Sequence, residues 1–134
     1  MSLYIESIRI KNGKAENLEL HQERVNNTLG QKSGEGLNLK NHLEDLKLTN
    51  SGLFKWRIEY NREKIHQNQL IPYHPTTVSK IKLVEAPNLK YALKYSNREI
   101  FKRLLLQSKA DDIIITQKGV ITDASYANVF FWNG

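Results

Sequence analysis

The stretch "LKYSNREIFKRLLL", residues 93–106, contains Lys94 shortly before a predicted helix. The positive end of a helix lowers the pKa of a nearby amine, and a neutral amine is what nucleophilic or Schiff-base chemistry requires. The chain has 20 basic residues, most of which must be solvated, so position alone makes Lys94 only a candidate. A second functional group must act together with this amine.

Asp123 is a candidate for that second group. It directly follows the apolar run "GVIT" and precedes the small residues Ala124 and Ser125, where a ligand could approach the backbone closely. A carboxylate buried at such a place requires a cationic partner, which in pyridoxal phosphate enzymes is the protonated pyridine nitrogen. A turn aspartate exposed to water is the alternative, and the pattern alone favours it.

His21 and Arg24 share one face of a predicted helix at positions i and i+3. Such a face could present a guanidinium to a phosphate as a bidentate donor, although a solvated helix face is the default interpretation. A zinc site is not predicted, because the chain has no cysteine and its histidines lack metal-ligand spacing. A glycine-rich phosphate loop and a GxSxG motif are also absent from the sequence.

Composition and charge narrow the class of protein. The 134 residues are 40% hydrophobic and 25% charged, as in a globular chain of one domain or one domain with a fragment of another. No apolar run approaches a membrane span, so we expect a cytoplasmic protein with no membrane partner. The net charge of +6 allows an anionic small molecule or a nucleic acid as partner, but the basic residues form no block.

Periodicity and turn signals predict the elements that position these residues. Asn12-Gly13 is a strong hairpin signal, which predicts that residues 3–11 pair with residues 14–19. The segment 30–36 contains three glycines and is predicted to be a flexible surface connection. Further along the chain we predict helices at 21–29 and 37–46 and strands at 53–60, 64–71 and 78–86.

The last third of the chain is predicted to be a helix followed by strands. Ser96 and Glu99 fit a capping box, which predicts a helix beginning at Asn97. A strand, a glycine-containing turn and a second strand come next, and then an apolar strand at residues 129–132. That strand ends on Asn-Gly with no partner after it, so we expect either a truncated chain or a strand covered by another subunit.

Taken in order, these segments resemble the class IV aminotransferase family. These are the fold-type IV pyridoxal phosphate enzymes, which include branched-chain and D-amino acid aminotransferases and aminodeoxychorismate lyase. "IESIRIKNGKAENLELHQER" resembles the opening hairpin and HxxR helix of the family, and "LKYSNREIFKRLL" with "DDIIITQKGVITDASYANVFF" resembles its lysine segment and acid-bearing strand. The resemblance implies an α+β fold with a small N-terminal α/β domain at 1–88, the first part of a barrel-like cofactor domain at 89–134, and a homodimer.

The resemblance also implies a cofactor and its contacts. Pyridoxal 5'-phosphate is the expected cofactor, with Lys94 as the Schiff-base lysine and Arg24 at the phosphate. Asp123 stands where most members have glutamate as the partner of the pyridine nitrogen, and its shorter side chain requires a closer backbone. Asn128 matches an asparagine that we expect to be structural.

The implied function is that of a 4-amino-4-deoxychorismate lyase in folate biosynthesis, which forms 4-aminobenzoate and pyruvate. "K-x-x-N-R" from Lys94 to Arg98 resembles the lyase, whereas branched-chain aminotransferases carry tyrosine at the position of Glu99. An amino acid aminotransferase of the branched-chain or D-amino acid type is the alternative, and either enzyme would act on a small-molecule amino substrate. The family continues beyond this length, so we expect a chain ending at Gly134 to lack part of the phosphate cup and to be inactive if that part is essential.

A remoter alternative is a basic module that binds nucleic acid. Trp56 and Tyr60 alternate with Arg57 and Arg62 on a predicted strand pair, as in a stacking platform for bases. A half-buried hairpin explains the same stretch equally simply. We therefore expect no nucleic-acid partner.

Overall fold

The computed structural model describes residues 2–32 and 34–134, so Ser33 of the predicted surface connection lies outside the described residues. Two compact units are present, one formed by the described residues up to Pro75 with Ala92–Asn97, the other by Thr76–Tyr91 with Arg98–Gly134. The predicted α+β class is confirmed. The elements are β1 Tyr4–Lys11, β2 Lys14–Ala15, α1 Leu18–Leu29, α2 Leu39–Glu44, β3 Leu53–Tyr60, β4 Ile65–Pro72, β5 Ile81–Glu85, α3 Glu99–Ser108, β6 Asp112–Gln117 and β7 Val120–Ala124.

The first unit is an antiparallel sheet of four strands in the order β2-β1-β3-β4, covered on one face by α1 and α2. Directly opposed residues point to the same face, so the pairing of Ile8 with Trp56 places both side chains under the helices. Val25 of α1 and Leu39 of α2 pack there, and all four side chains are fully buried. Glu6 is two residues before Ile8 and therefore shares this apolar face.

The predicted pairing of residues 3–11 with 14–19 is wrong over most of its length. The Asn12-Gly13 turn forms with positive φ at both residues, but β2 has only two residues and α1 begins at Leu18. β1 instead pairs along its whole length with β3. The alternation of Leu18 and Leu20 resembled a strand, yet Leu20 is 66% exposed and only Leu18 packs on the core, as on a helix.

The second unit is a sheet of three strands in the order β5-β6-β7, with α3 packed against it. β5 is parallel to β6, and β7 is antiparallel to β6. Phe101 of α3 contacts Ile113 and Ile115 of β6, and all three side chains are buried. The predicted strand, turn and strand are confirmed, since Lys118 and Gly119 both adopt positive φ between β6 and β7.

The predicted capping box at Ser96 is wrong. Helix α3 begins at Glu99, two residues later than predicted, and its N-cap Arg98 makes no side-chain capping bond. The Ser96 hydroxyl donates instead to the Glu59 carboxylate of β3, and its backbone N–H donates to the Leu3 carbonyl at 2.7 Å. The Ser96 side chain, which the local sequence predicted to cap the helix, therefore binds Glu59 instead.

The predicted strand at residues 129–132 is also wrong. The chain after β7 has no regular secondary structure, and Phe130, Phe131 and Trp132 are 88%, 72% and 92% exposed. A strand forms only when a neighbour pairs with its backbone, and none pairs with this segment in the described part of the chain.

Among the residues described, no helix has the length and apolar character needed to cross a membrane. The proposed domain boundary between residues 88 and 89 stays a prediction.

Candidate functional site

A buried carboxylate, Glu6 of β1, is held by two residues of α1. Arg24 donates from Nε to Glu6 Oε1 at 2.7 Å and from Nη2 to Glu6 Oε2 at 2.5 Å, which is a bidentate ion pair. His21 Nδ1 lies 2.7 Å from Glu6 Oε2 and 3.1 Å from Arg24 Nη2. The i, i+3 spacing thus places His21 and Arg24 on one helix face, and that face meets a fully buried acid.

The charge of Glu6 is stabilised by the cations around it. Burial by itself raises the pKa of Glu6, because a carboxylate loses its hydration. The hydrogen bonds from Arg24 and His21, together with the positive charges of Arg24 and Lys94, outweigh burial and hold the pKa of Glu6 below its ordinary value of 4.5. Glu6 is therefore ionised at neutral pH and fixes the position of the Arg24 guanidinium.

Lys94 is attached through its backbone to the N-terminal half of β1. Ile5 N–H donates to the Lys94 carbonyl at 2.9 Å, and Tyr4 and Tyr95 form an isolated antiparallel bridge. The rings of Tyr4 and Tyr95 also contact, with centroids 5.4 Å apart. β2 pairs only with the last two residues of β1. The same edge of β1 is therefore free at Tyr4 and Ile5, where the Lys94–Tyr95 backbone binds. Lys94 consequently lies in the same unit as Glu6 and Arg24.

Arg24 and Lys94 line one cavity of about 340 Å³. The Arg24 side chain is 40% exposed although it is paired with Glu6, so part of it faces solvent. Glu23 also lines this cavity, so two cations lie there with one acid, and a guanidinium that is already oriented suits a phosphate. An amine beside it suits an aldehyde, so this donor set fits a phosphorylated aldehyde cofactor. The remaining lining residues are Leu20, Glu23, Asn27, Thr28, Ala92 and Leu93.

Asp123 lies in the second unit, as the fourth of five residues of β7. It is paired across the sheet with Ile115 and is half-buried. Its Oδ1 accepts a hydrogen bond from the N–H of Ala124 at 2.8 Å. The sequence predicted an acid following a strand, whereas the residue lies within one. Its partnership with Lys94 stays a prediction, as does the structural role of the exposed Asn128.

The stacking platform proposed for nucleic acid does not exist as predicted. Trp56 and Tyr60 are fully buried under α1 and α2, and the Trp56 indole donates to Asn68 Oδ1 at 2.6 Å. Buried rings cannot stack on bases. The β3–β4 hairpin is thus part of the core of the first unit, in line with the hairpin interpretation of this stretch.

Glu6 is the residue that sequence reasoning missed. Its signal was present, because Glu6, Ile8 and Ile10 occupy alternate positions of one strand, and the two isoleucines are buried. An acid on an apolar strand face must find a cation or a hydrogen-bond donor. Searching for that cation would have pointed to a basic residue on the helix packed above the strand.

Tyr60 of β3 is a fully buried phenol close to Glu6. Burial raises the pKa of Tyr60 to about 12 and the Glu6 charge adds to this, whereas the Thr28 hydroxyl acts in the opposite direction. A pKa above the ordinary 10.0 means that stability is complete below pH 10 and is lost as the pH rises toward 12.

We expect this loss to reach about 3 kcal/mol, since one pKa unit corresponds to about 1.4 kcal/mol. Urea unfolding between pH 9 and 12 measures it. Tyr60→Phe, which keeps the ring, is the matched control and should show a flatter dependence on pH. Parallel curves for the two proteins would exclude Tyr60 as the titrating group.

Comparison with solved structures defines the class of protein. The crystal structure of a "putative 4-amino-4-deoxychorismate lyase" from Haemophilus somnus 129PT matches with a TM-score of 0.76 and 28% identity, over 93% of this chain and 68% of that one. A "putative amino-acid aminotransferase" from Mesorhizobium loti matches with a TM-score of 0.65 and 16% identity, over 93% of this chain and 67% of that one, which bears on the fold alone. The chain therefore has the fold of the fold-type IV, aminodeoxychorismate lyase-like proteins.

Comparison of sequences then gives the family. An "Uncharacterized protein" of Haemophilus influenzae is 32% identical over an alignment that covers 96% of this chain and 71% of the relative. The chain belongs to the family of that protein. No protein-family model matches the sequence.

Proposed function

We propose that this protein is a pyridoxal phosphate-dependent enzyme of the 4-amino-4-deoxychorismate lyase type, which forms 4-aminobenzoate and pyruvate. The observation that carries the proposal is the shared cavity of Arg24 and Lys94, with Arg24 fixed by the buried Glu6. These residues are 70 positions apart in sequence, and the resemblance assigns both to one cofactor. The 28% identity to a structure described as such a lyase supports the same choice.

Each residue has a distinct role in the proposal. Pyridoxal phosphate, when bound, withdraws electrons from the carbon that loses its proton. Arg24 donates hydrogen bonds to the phosphate, in an orientation that Glu6 sets. Lys94 Nζ would hold the cofactor through its aldehyde and, when free, would take the α-proton of the substrate as a general base. Asp123 is assigned, from the resemblance alone, to the protonated pyridine nitrogen.

The lyase and the aminotransferase differ in the step after proton removal. In the lyase, the enolpyruvyl group leaves the neighbouring carbon as pyruvate and the ring becomes aromatic. In an aminotransferase, Lys94 Nζ would instead return the proton to the cofactor, and water would release the substrate as a keto acid. Arg98, in the "K-x-x-N-R" motif, supports the lyase. A homodimer in the cytoplasm belongs to the same proposal, and equilibrium sedimentation tests the dimer.

Cofactor attachment and product analysis test the proposal together. The protein is titrated with pyridoxal phosphate, reduced with borohydride and digested, and we expect the added mass on the peptide containing Lys94. A separate sample of loaded protein, neither reduced nor digested, is given 4-amino-4-deoxychorismate, and pyruvate is measured. Saturable binding with keto acid from amino acids but no pyruvate would establish the aminotransferase instead. Absence of saturable binding would overturn the proposal for this chain.

A further inference from the structure

Arg98 makes an unusual set of contacts within the second unit. Its guanidinium carbon lies 4.2 Å from the centroid of the Phe101 ring and 5.1 Å from that of the Tyr91 ring. The two rings meet edge to face, with centroids 4.6 Å apart. Arg98 also donates from Nη1 to the Tyr91 hydroxyl and from Nη2 to the Ser125 carbonyl. The Arg98 side chain thus contacts two rings, a hydroxyl and a carbonyl, and makes no capping bond.

Ser125, which receives one of these bonds, is held a second time. Its hydroxyl donates to Asp112 Oδ1 at the first residue of β6, and Asp112 Oδ1 also accepts from Ile113 N–H at 2.7 Å. Ser125 and Asp112 are 6% and 7% exposed, so these bonds are shielded from water. The backbone two residues after Asp123 is therefore fixed through both a carbonyl and a side chain.

This attachment matters because β7 is weakly held by its own sheet. β7 has five residues, pairs with β6 alone among the described strands, and shows a register shift opposite Ile115 and Thr116. A short edge strand has one neighbour only and a register shift interrupts the ladder locally, so a contact at its end adds to what holds it in place. Asp123 lies two residues from that contact, so a shift at Ser125 moves its carboxylate.

We infer that Arg98 is a positioning residue for Asp123, acting through the Ser125 carbonyl; the inference rests on the proposed function. Asp123 has a shorter side chain than glutamate, so its reach toward a cofactor depends directly on where its backbone lies. Arg98 links that backbone to the start of α3, which comes after the Lys94 segment in sequence. The guanidinium is suited to this because its planar fork stacks on rings and aims two donors in fixed directions.

Lysine cannot reproduce this arrangement, and the experiment depends on that. Arg98→Lys keeps the charge, and Arg98→Met keeps only the stem. Arg103→Met, exposed on the same helix, is the matched control. In cofactor-free protein we expect amide hydrogen exchange of the peptide covering 120–126 to be at least about tenfold faster in both Arg98 variants and unchanged in the control.

The cofactor provides the measurement that separates positioning from simple stability. We expect both Arg98 variants to bind pyridoxal phosphate about tenfold or more weakly and to shift the pH midpoint of its visible absorbance. Asp123→Asn should shift the same midpoint, and adding Arg98→Met to Asp123→Asn should shift it no further, because both changes act on one contact.

The outcomes separate the two proposals. Faster exchange together with an unchanged affinity and midpoint would overturn the positioning role, and so would unchanged exchange. Additive shifts in the double variant would overturn it as well. If wild-type protein fails to bind pyridoxal phosphate, the proposed function fails and the positioning role fails with it. Arg98→Lys carries the test if Arg98→Met does not fold.

Discussion

Replacing Lys94 by alanine is expected to abolish the visible absorbance of protein loaded with pyridoxal phosphate and to reduce turnover by at least about 10²–10⁴-fold. Nζ of Lys94 is the amine proposed both to hold the cofactor and to move the proton. The fold should survive, because the contact that places Lys94 is made by its backbone carbonyl to Ile5 N–H, and alanine keeps that carbonyl. Absorbance spectra and pyruvate release measure the two effects.

Lys102→Ala is the matched control for this experiment. Lys102 lies on α3 with 70% of its side chain exposed and makes only a long i, i+3 contact to Glu99, at 3.9 Å. An exposed pair of this kind contributes little to stability. We expect normal absorbance and turnover in the control. A Lys94→Ala protein that stays yellow and active would exclude the assignment of Lys94.

Replacing Arg24 by leucine is expected to destabilise the protein by about 3 kcal/mol at pH 7. The change leaves the fully buried Glu6 without its bidentate partner. A buried ion that loses its partner costs about 3–5 kcal/mol. Glu6 can limit this cost by taking up a proton. Protonating a carboxylate with the ordinary pKa of 4.5 costs about 3 kcal/mol at pH 7.

The reverse change, Glu6→Leu, should cost less, about 1 kcal/mol, because Arg24 is 40% exposed and can return to water. Adding Arg24→Leu to Glu6→Leu should then cost little more. The difference between the two backgrounds is the coupling energy, which we expect to be about 2 kcal/mol. Urea unfolding of the four proteins measures it. Strictly additive free energies would show that the pair is not coupled.

The pH dependence of the Arg24→Leu protein gives an independent check. In the wild type, the pKa of Glu6 lies below 4.5, so its contribution to stability is present above pH 4.5 and is lost as the pH falls through the lowered pKa. Without Arg24, only His21 and Lys94 oppose burial, which is the largest single influence, so we expect the pKa of Glu6 to rise. The variant should therefore gain stability relative to wild type as the pH falls from 7 toward 4.5. Parallel pH curves would contradict this account.

Local signals in the sequence predicted the local elements well. Asn12-Gly13 and Lys118-Gly119 form the expected tight turns, and α3 packs through the apolar face that its periodicity indicated. Pairing over longer distances was not predictable in the same way. β1 joins β3 more than 40 residues along the chain, and no turn signal specifies that partner. Ser96 had a local use as a cap, but Glu59 is available only in the folded sheet.

The candidate site was predictable in part. The i, i+3 spacing of His21 and Arg24 indicated a shared face, and the resemblance assigned Lys94 and Arg24 to one cofactor. Periodicity could not show that both would line one cavity, because that depends on the Ile5–Lys94 backbone bond along the edge of β1. Glu6 was missed because the alternating apolar residues of β1 were interpreted only as a strand pattern, and the acid on the same face was not considered. The role of Asp123 stays a prediction.

The short stretch Ala92–Asn97 belongs to the first unit, although the chain on either side of it belongs to the second. The polypeptide therefore passes from one unit to the other three times, after Pro75, Tyr91 and Asn97. Cutting the gene at any one of these points cannot yield both halves intact. Expression of residues 2–75 alone would produce a sheet with an uncovered edge at Ile5 and without Lys94, so isolating the first unit requires residues 92–97 to be supplied as an added peptide.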